Sequence, residues 1–240
     1  MTRTKKLIIA ILLVILIGLL AVIYGALNTG PDLSSETKDI LVLASDKHEQ
    51  QNGAVDMAFV VHLENGSIEN YTPIYPGGKT HPTQPASSAL GGGKMYLHDC
   101  LYDGVKQGMQ YAKEIVAATT GIEADAVVVV YTDGIDAIID SVRPLEVDGK
   151  VTNLSAEDII RENDAYNGYA GNEYVSGTMS RGDAVLVLVK ALSQAATDQD
   201  KKATMIKTAL DEYSKGNILM EPEGSFTKLL ATKGFESLLN

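Results

Sequence analysis

The hydrophobic pattern opens with an unbroken run. Residues 7–27 read LIIAILLVILIGLLAVIYGAL, 21 positions without a charge, long enough as a helix to cross about 30 Å of hydrocarbon. Arg3, Lys5 and Lys6 precede it, and no Lys or Arg follows until Lys38. That asymmetry predicts a cytoplasmic stub (1–6), a single transmembrane helix (7–27) and an exterior remainder. A cleaved signal peptide is the rival reading. Its apolar core spans roughly 7–15 residues, and no good small-x-small site precedes the domain, so the uncleaved anchor is preferred. Residues 28–37 (NTGPDLSSET) are polar with Gly and Pro and read as a tether, leaving 38–240 as the domain.

Within that domain the pattern alternates between strand and helix periods. Ile40 to Leu43 is a short apolar run ended by Ser45-Asp46, a buried strand with a polar carboxyl end. The runs 56–63 and 67–74 flank Glu64-Asn65-Gly66, a strong hairpin signal. Residues 76–94, bracketed by Pro76-Gly-Gly and Gly91-Gly-Gly, read as a long irregular stretch. Apolar positions 97, 101, 105, 109, 112, 116 and 119 step by three and four, predicting one helix over 97–120 with Gly121 as its stop. Residues 124–131 (ADAVVVVY) form a continuous run expected to be central in a sheet. Asp133 is expected to cap a short helix ended by Pro144, and Ser155-Ala-Glu-Asp158 to start another. Residues 163–177 read as a loop. Residues 183–194 fit either a strand or a buried helix. Residues 198–215 predict an amphipathic helix, and 225–239 one or two short ones. Strands alternating with helices predict an α/β fold, a three-layer α/β/α sandwich around a mixed central sheet.

Charge changes this picture. Three of the 20 bases and none of the 31 acids precede residue 28, so 28–240 carries 17 bases against 31 acids, a net of −14. Such a surface excludes nucleic acid as a partner, because phosphate binding at that scale needs a basic footprint. The single cysteine, Cys100, excludes an internal disulfide and any multi-Cys metal site, and reads as a small buried apolar group. An apolar fraction of 45% excludes disorder for the bulk of the chain.

The acids are unevenly placed. The 29 residues 70–98 contain no Asp or Glu, hold four of the seven prolines, and include Lys79, Lys94, His81 and His98. Functionally this is a Gly-rich loop closing over an anionic group with backbone N–H groups and Lys79 or Lys94; structurally it is a solvated surface loop. Asp46 and Asp56 fall at neighbouring strand ends, at the sheet edge where α/β folds bind ligands, and two carboxylates there could hold Mg²⁺ with open water positions. The plain alternative is a turn cap and an ordinary strand-end acid. All four histidines lie between 48 and 98, without the spacing of a zinc site. Asp99 and Asp103 beside His98 could shape the site; the plain reading is acids favoured by a helix N-terminus. No Gly-x-Ser-x-Gly, P-loop or Cys–His pairing is present.

The order of these features resembles the LytR-CpsA-Psr family: basic stub, membrane helix, strand-Ser-Asp, a strand opened by Asp, an Asn-Gly hairpin and a Pro-containing loop. So do TGIEADAVVVVYTDGIDAIIDSV at 120–142 and SRGDAVLVLVKAL at 180–192. The resemblance implies a membrane-anchored phosphotransferase fold that moves glycopolymers from a polyprenyl-pyrophosphate carrier to the cell wall, with Mg²⁺ on Asp residues and arginines on the pyrophosphate. Asp46, Asp56 and Arg181 match that pattern. Ala54, Ile74-Tyr75-Pro76, Ser176, Thr178 and Ala184 stand where it expects its other site residues, most of them arginines. ASD, GAVDMAFVV, TPIYPGGKTHPT, LHDCLYD and MSRGDAV are more similar still to an uncharacterised archaeal family of membrane-anchored surface proteins, which implies no known activity.

With three arginines in the whole exterior part (Arg143, Arg161, Arg181), and one well-placed donor worth about 3 kcal/mol to such a reaction, transfer chemistry is disfavoured. The leading expectation is a domain that binds a surface glycopolymer or its phosphorylated lipid carrier. Its metal would sit on Asp46 and Asp56, and its phosphate on Arg181, Lys79, Lys94 and His81. The alternatives are a non-catalytic structural or interaction module of the envelope, and a divergent transferase or hydrolase with His48 or His81 as general base.

Overall fold

The computed structural model describes residues 32–163, 181–225 and 228–229. The hydrophobic span 7–27, the loop 163–177 beyond its first residue and most of 225–239 lie outside these. Among the described residues no helix is long and apolar enough to cross a membrane.

Five strands form the central sheet in the order β3-β2-β1-β6-β9. They are β1 (Thr37–Asp46), β2 (Ala54–Glu64), β3 (Ser67–Ile74), β6 (Ala126–Tyr131) and β9 (Ile218–Glu221). β1 and β6 run parallel and every other pairing is antiparallel, so the sheet is mixed. The apolar runs at 40–43 and 126–131 are continuous because both faces of these central strands are covered. Leu41, Leu43, Val127 and Val129 enter one core, packed against helix α1 (Val105–Thr120) through Met109, Ala112, Ile115 and Val116. Ile40, Ala126 and Val128 enter the core of the opposite face with Ala209 of helix α5 (Gln199–Ser214). A third cluster joins helices α2 (Thr132–Val142), α3 (Ala156–Asn163) and α4 (Arg181–Ala195) through Ile139, Val142, Ile159 and Leu188. The chain is thus a mixed α/β fold with a mixed central sheet.

Local chemistry sets the element ends. Asn65 (φ 49°) and Gly66 (φ 72°) turn the β2–β3 hairpin, as Asn-Gly predicts. Ser155 Oγ accepts from the Asp158 N–H at 3.1 Å and lies 2.7 Å from Asp158 Oδ2, a reciprocal start for α3. Asp198 caps α5 by accepting from the N–H groups of Asp200 and Lys201.

Three expectations are corrected and one open alternative is resolved. The helix over 97–120 begins only at Val105, because residues 97–103 wind as consecutive turns with Cys100 and Leu101 buried beneath α1. Inward-facing turns share the four-residue spacing of a helix, so periodicity could not separate them. Residues 183–194, left between strand and helix, are helical. Asp133 lies in the first turn of α2 rather than capping it; the cap position is Tyr131. The irregular stretch 76–94 contains an antiparallel pair, β4 (Thr80–Pro85) and β5 (Lys94–Tyr96), with a 3-10 turn at Ser88–Leu90 between them. A second small hairpin, β7 (Leu145–Val147) with β8 (Lys150–Thr152), turns at Asp148-Gly149.

Gly108 fixes how α1 sits on the 97–103 turns. A Cβ there would lie 2.5 Å from the Cys100 carbonyl oxygen and 2.7 Å from Leu101 Cα. Both are backbone atoms that cannot swing aside. Gly108→Ala is therefore expected to destabilise the fold by about 1–3 kcal/mol despite alanine's better helix propensity, read as a lower urea midpoint at unchanged slope.

Candidate functional site

β1 and β6 end together, and the chain segments at that carboxyl edge are the β1–β2 loop (47–53), the start of β2, the first turn of α2 and Asn217 before β9. A bulge shapes the edge. Ala44 pairs with Met57 but Ser45 pairs with Val55, leaving Asp56 as the extra residue. In β2 the even positions Ala58 and Val60 face the α1 core. Unbroken alternation would send Asp56 inward with them. The bulge instead puts Val55 into that core at 0% exposure and leaves the Asp56 carboxylate exposed.

Three segments meet at Asp56. Ligand atoms of Glu49, Asp56 and His98 lie within 4.8 Å of one another. His98 comes from the turns after β5. Its carbonyl accepts from the Val55 N–H at 2.9 Å and from Gln50 Nε2 at 3.3 Å. Its Nδ1 lies 2.8 Å from Asp99 Oδ1 and its Nε2 3.5 Å from Glu49 Oε1. Burial pulls the imidazole pKa down, but Asp99, bonded to it, and then Glu49 and Asp56 outweigh burial and hold it above its ordinary value.

The residues picked out from sequence are placed unequally. Asp46 lies at the same edge, but its Oδ1 accepts from the His48 N–H at 2.8 Å, and it is not among the three gathered groups. The Lys79 backbone runs alongside the His98 segment, its carbonyl accepting from Leu97 N–H. Lys94 is exposed at the far end of the β4–β5 pair. The register sets Thr80 against Tyr96 and Pro85 against Lys94 with an irregularity between them, so Lys94 lies three residues, about 10 Å, along β5 from Leu97, the residue bonded to Lys79. His81 is buried between β4 and α1: Nδ1 accepts from the N–H groups of Thr83 and Gln84, and Nε2 lies 2.7 Å from Glu114 Oε2. Both ring nitrogens are occupied by the protein, so His81 has none to offer as ligand or base. His48 is exposed. Arg181 opens α4, and its side chain lies outside the described atoms. Arg143 is bound to Asp140 at 2.7 Å and to the Leu154 carbonyl at 3.2 Å. It follows the far end of α2, about 16 Å along the helix from the edge. Cys100 is 2% exposed, and burial pushes its thiol far up, in keeping with an inert core group.

Sequence reasoning missed Glu49, His98 as a member of the acid group, and a lysine. Lys47 Nζ donates to Asn217 Oδ1 at 2.6 Å, pairs with Asp133 Oδ2 at 3.0 Å and stands 5.2 Å from the Tyr131 ring centre. Asn217 Nδ2 in turn donates to buried Glu212, and the Asn217 carbonyl accepts from Tyr131 N–H. Tyr131 Oη donates to the Asn52 carbonyl, tying the β1–β2 loop to β6. Ser45 Oγ, beneath the Gly53 turn, is buried without a hydrogen-bond partner among the described residues. The signal for His98 was its neighbour Asp99. Nothing local marks Glu49.

The profile of a family described as "Protein of unknown function (DUF4012)" matches residues 35–166, more than half of the chain. No curated protein sequence matches. Among solved structures, TagV of B. subtilis is similar at 17% identity over 86% of this chain and 81% of that one, with a TM-score of 0.52. A transcriptional regulator from Enterococcus faecalis is similar at 14% identity over 87% and 75%, with a TM-score of 0.51. A LytR-Csp2A-Psr enzyme from Actinomyces oris matches at 18% identity over 88% and 80%, with a TM-score of 0.47. The likeness to TagV and to the Enterococcus faecalis protein is one of fold.

Glu212 is the buried charge on which the edge network rests. It is 4% exposed, and the Asn217 amide and then the Lys215 ammonium hold its pKa below the usual carboxylate range. A lowered folded-state value contributes stability above the unfolded pKa, about 4.3, and loses it as pH falls through the folded value. Glu212→Gln should cost about 1.5–3 kcal/mol near neutrality, with the gap to the parent closing in acid. Denaturant melts across that pH range measure it.

Proposed function

The chain belongs to the DUF4012 family, and from that premise we propose a membrane-anchored, extracytoplasmic α/β/α domain that binds phosphate groups of a surface glycopolymer or its polyprenyl-phosphate carrier without transferring them. The anchor is the 21-residue apolar run at 7–27, with residues 1–6 in the cytoplasm, 28–37 as tether and 38–240 outside. The observation that carries the binding reading is the bulge at Asp56. It gathers Asp56, Glu49 and His98 at the carboxyl edge of the central strands, beside the Lys79 backbone, in a fold shared with TagV.

A bound divalent cation would supply the positive charge that a phosphate meets at such an edge. The resemblance suggests Mg²⁺ on Asp46 and Asp56, and of these two it is Asp56 that stands in the gathered set. Lys79, whose backbone is bonded to Leu97 next to His98, would supply a second positive charge. Arg181 is the remaining candidate for phosphate.

Binding is favoured over transfer for a specific reason. Pyrophosphate transfer depends on preorganised cationic donors, and Arg143 is spent on Asp140 and the Leu154 carbonyl, at the other end of α2. The same shortage of arginine supports a non-catalytic envelope module as the second reading.

The test is thermal shift of the full-length chain with a polyprenyl pyrophosphate and Mg²⁺. The expected result is a rise in Tm that weakens with salt, with Asp56→Ala and Lys79→Ala each lowering affinity about 10-fold. No rise at millimolar ligand, with both variants behaving like the parent, would sink the proposal.

A further inference from the structure

We propose that Glu49, Asp56 and His98 form a site for a first-row transition dication, Mn²⁺ or Zn²⁺, in preference to Mg²⁺. The proposal deepens the functional reading above at the same edge, and the donor set carries it. Mg²⁺ takes oxygen ligands, whereas an imidazole nitrogen suits Zn²⁺, and Mn²⁺ tolerates one imidazole beside the carboxylates it prefers.

The histidine is oriented for ligation. In the neutral ring, with Nδ1–H donated to Asp99 Oδ1 at 2.8 Å, Nε2 is the nitrogen left to bind an ion, 3.5 Å from Glu49 Oε1. A carboxylate behind a ligating histidine fixes its tautomer and raises its basicity. The distances fit as well. Metal–ligand bonds of 2.0–2.2 Å set neighbouring ligand atoms about 3.3–3.6 Å apart in a tetrahedral site. The His98–Glu49 distance of 3.5 Å is in that range, and all three atoms lie within 4.8 Å. The half-exposed Glu49 side chain can close the remainder without moving the fold.

The backbone beneath is already tied. Val55 N–H, one residue before Asp56, donates to the His98 carbonyl. Gln50 Nε2, one residue after Glu49, reaches both that carbonyl and the Gly53 carbonyl at 3.3 Å. Three hydrogen bonds therefore hold the three ligand-bearing segments in register before any ion arrives. Glu49 and Asp56 are exposed, and three protein donors leave coordination positions open for water or a phosphate oxygen.

The test uses metal alone, with no lipid or polymer, so its failure is distinct from failure of the binding reading above. Calorimetric titration of the full-length chain with MnCl₂, ZnCl₂, MgCl₂ and CaCl₂, together with Mn²⁺ electron paramagnetic resonance, should show one site. Mn²⁺ or Zn²⁺ should bind at least about 10-fold more tightly than Mg²⁺ or Ca²⁺. Asp99→Asn should weaken it about 10–100-fold, and His98→Asn and Glu49→Gln by at least 10-fold, while Asp103→Asn, exposed and outside the set, binds as the parent does. Glu49→Gln alters an exposed loop position and keeps the test valid if His98→Asn fails to fold. Equal affinity for Mg²⁺ and the transition ions, or parent-like Mn²⁺ and Zn²⁺ binding by Glu49→Gln, would overturn the proposal.

Discussion

The extra residue in β2 is the constraint on which the edge depends. Ser45 pairs with Val55 where an unbroken ladder would offer Asp56. A carboxylate on the core face would have to give up water without a partner, a cost of several kcal/mol. Shifting the register by one residue exchanges it for Val55, which is fully buried. The same shift gives Val55 N–H a new acceptor, the His98 carbonyl. That bond brings the turns after β5 against the sheet, and Gly108 then lets α1 lie flat on them. The bulge, the histidine segment and the helix are one mechanical unit.

Much of the scaffold was legible because the signals were periodic or local. The runs at 40–43 and 126–131 announced strands covered on both faces. Asn65-Gly66, Ser155 with Asp158, and Gly121 marked ends by chemistry that acts within a few residues. The helix over 97–120 started too early because Leu97 and Leu101 face inward from turns at the same spacing as the helix that follows. β4 and β5 escaped notice because β4 carries two prolines and few apolar positions, and β5 is three residues long.

The site was half legible for a related reason. Asp56 stood out as a strand-opening acid. Its role depends on a bulge, which is a property of the pairing between two strands and not of either alone. Glu49 has no local distinction and joins Asp56 only because the β1–β2 loop folds back. His81 attracted attention as a histidine in an acid-free window, yet its ring closes a structural gap between β4 and Glu114. His98 was marked only by Asp99 beside it, and that acid suited equally well a helix start that the fold does not place there.

The acid-free window of the sequence is not acid-free in space. Residues 70–98 carry no carboxylate of their own, yet the fold sets Glu114 against His81, and Glu49, Asp56 and Asp99 against His98. Packing restores the charge that this stretch of chain omits, so its two histidines sit among carboxylates that come from other segments or from just beyond its end.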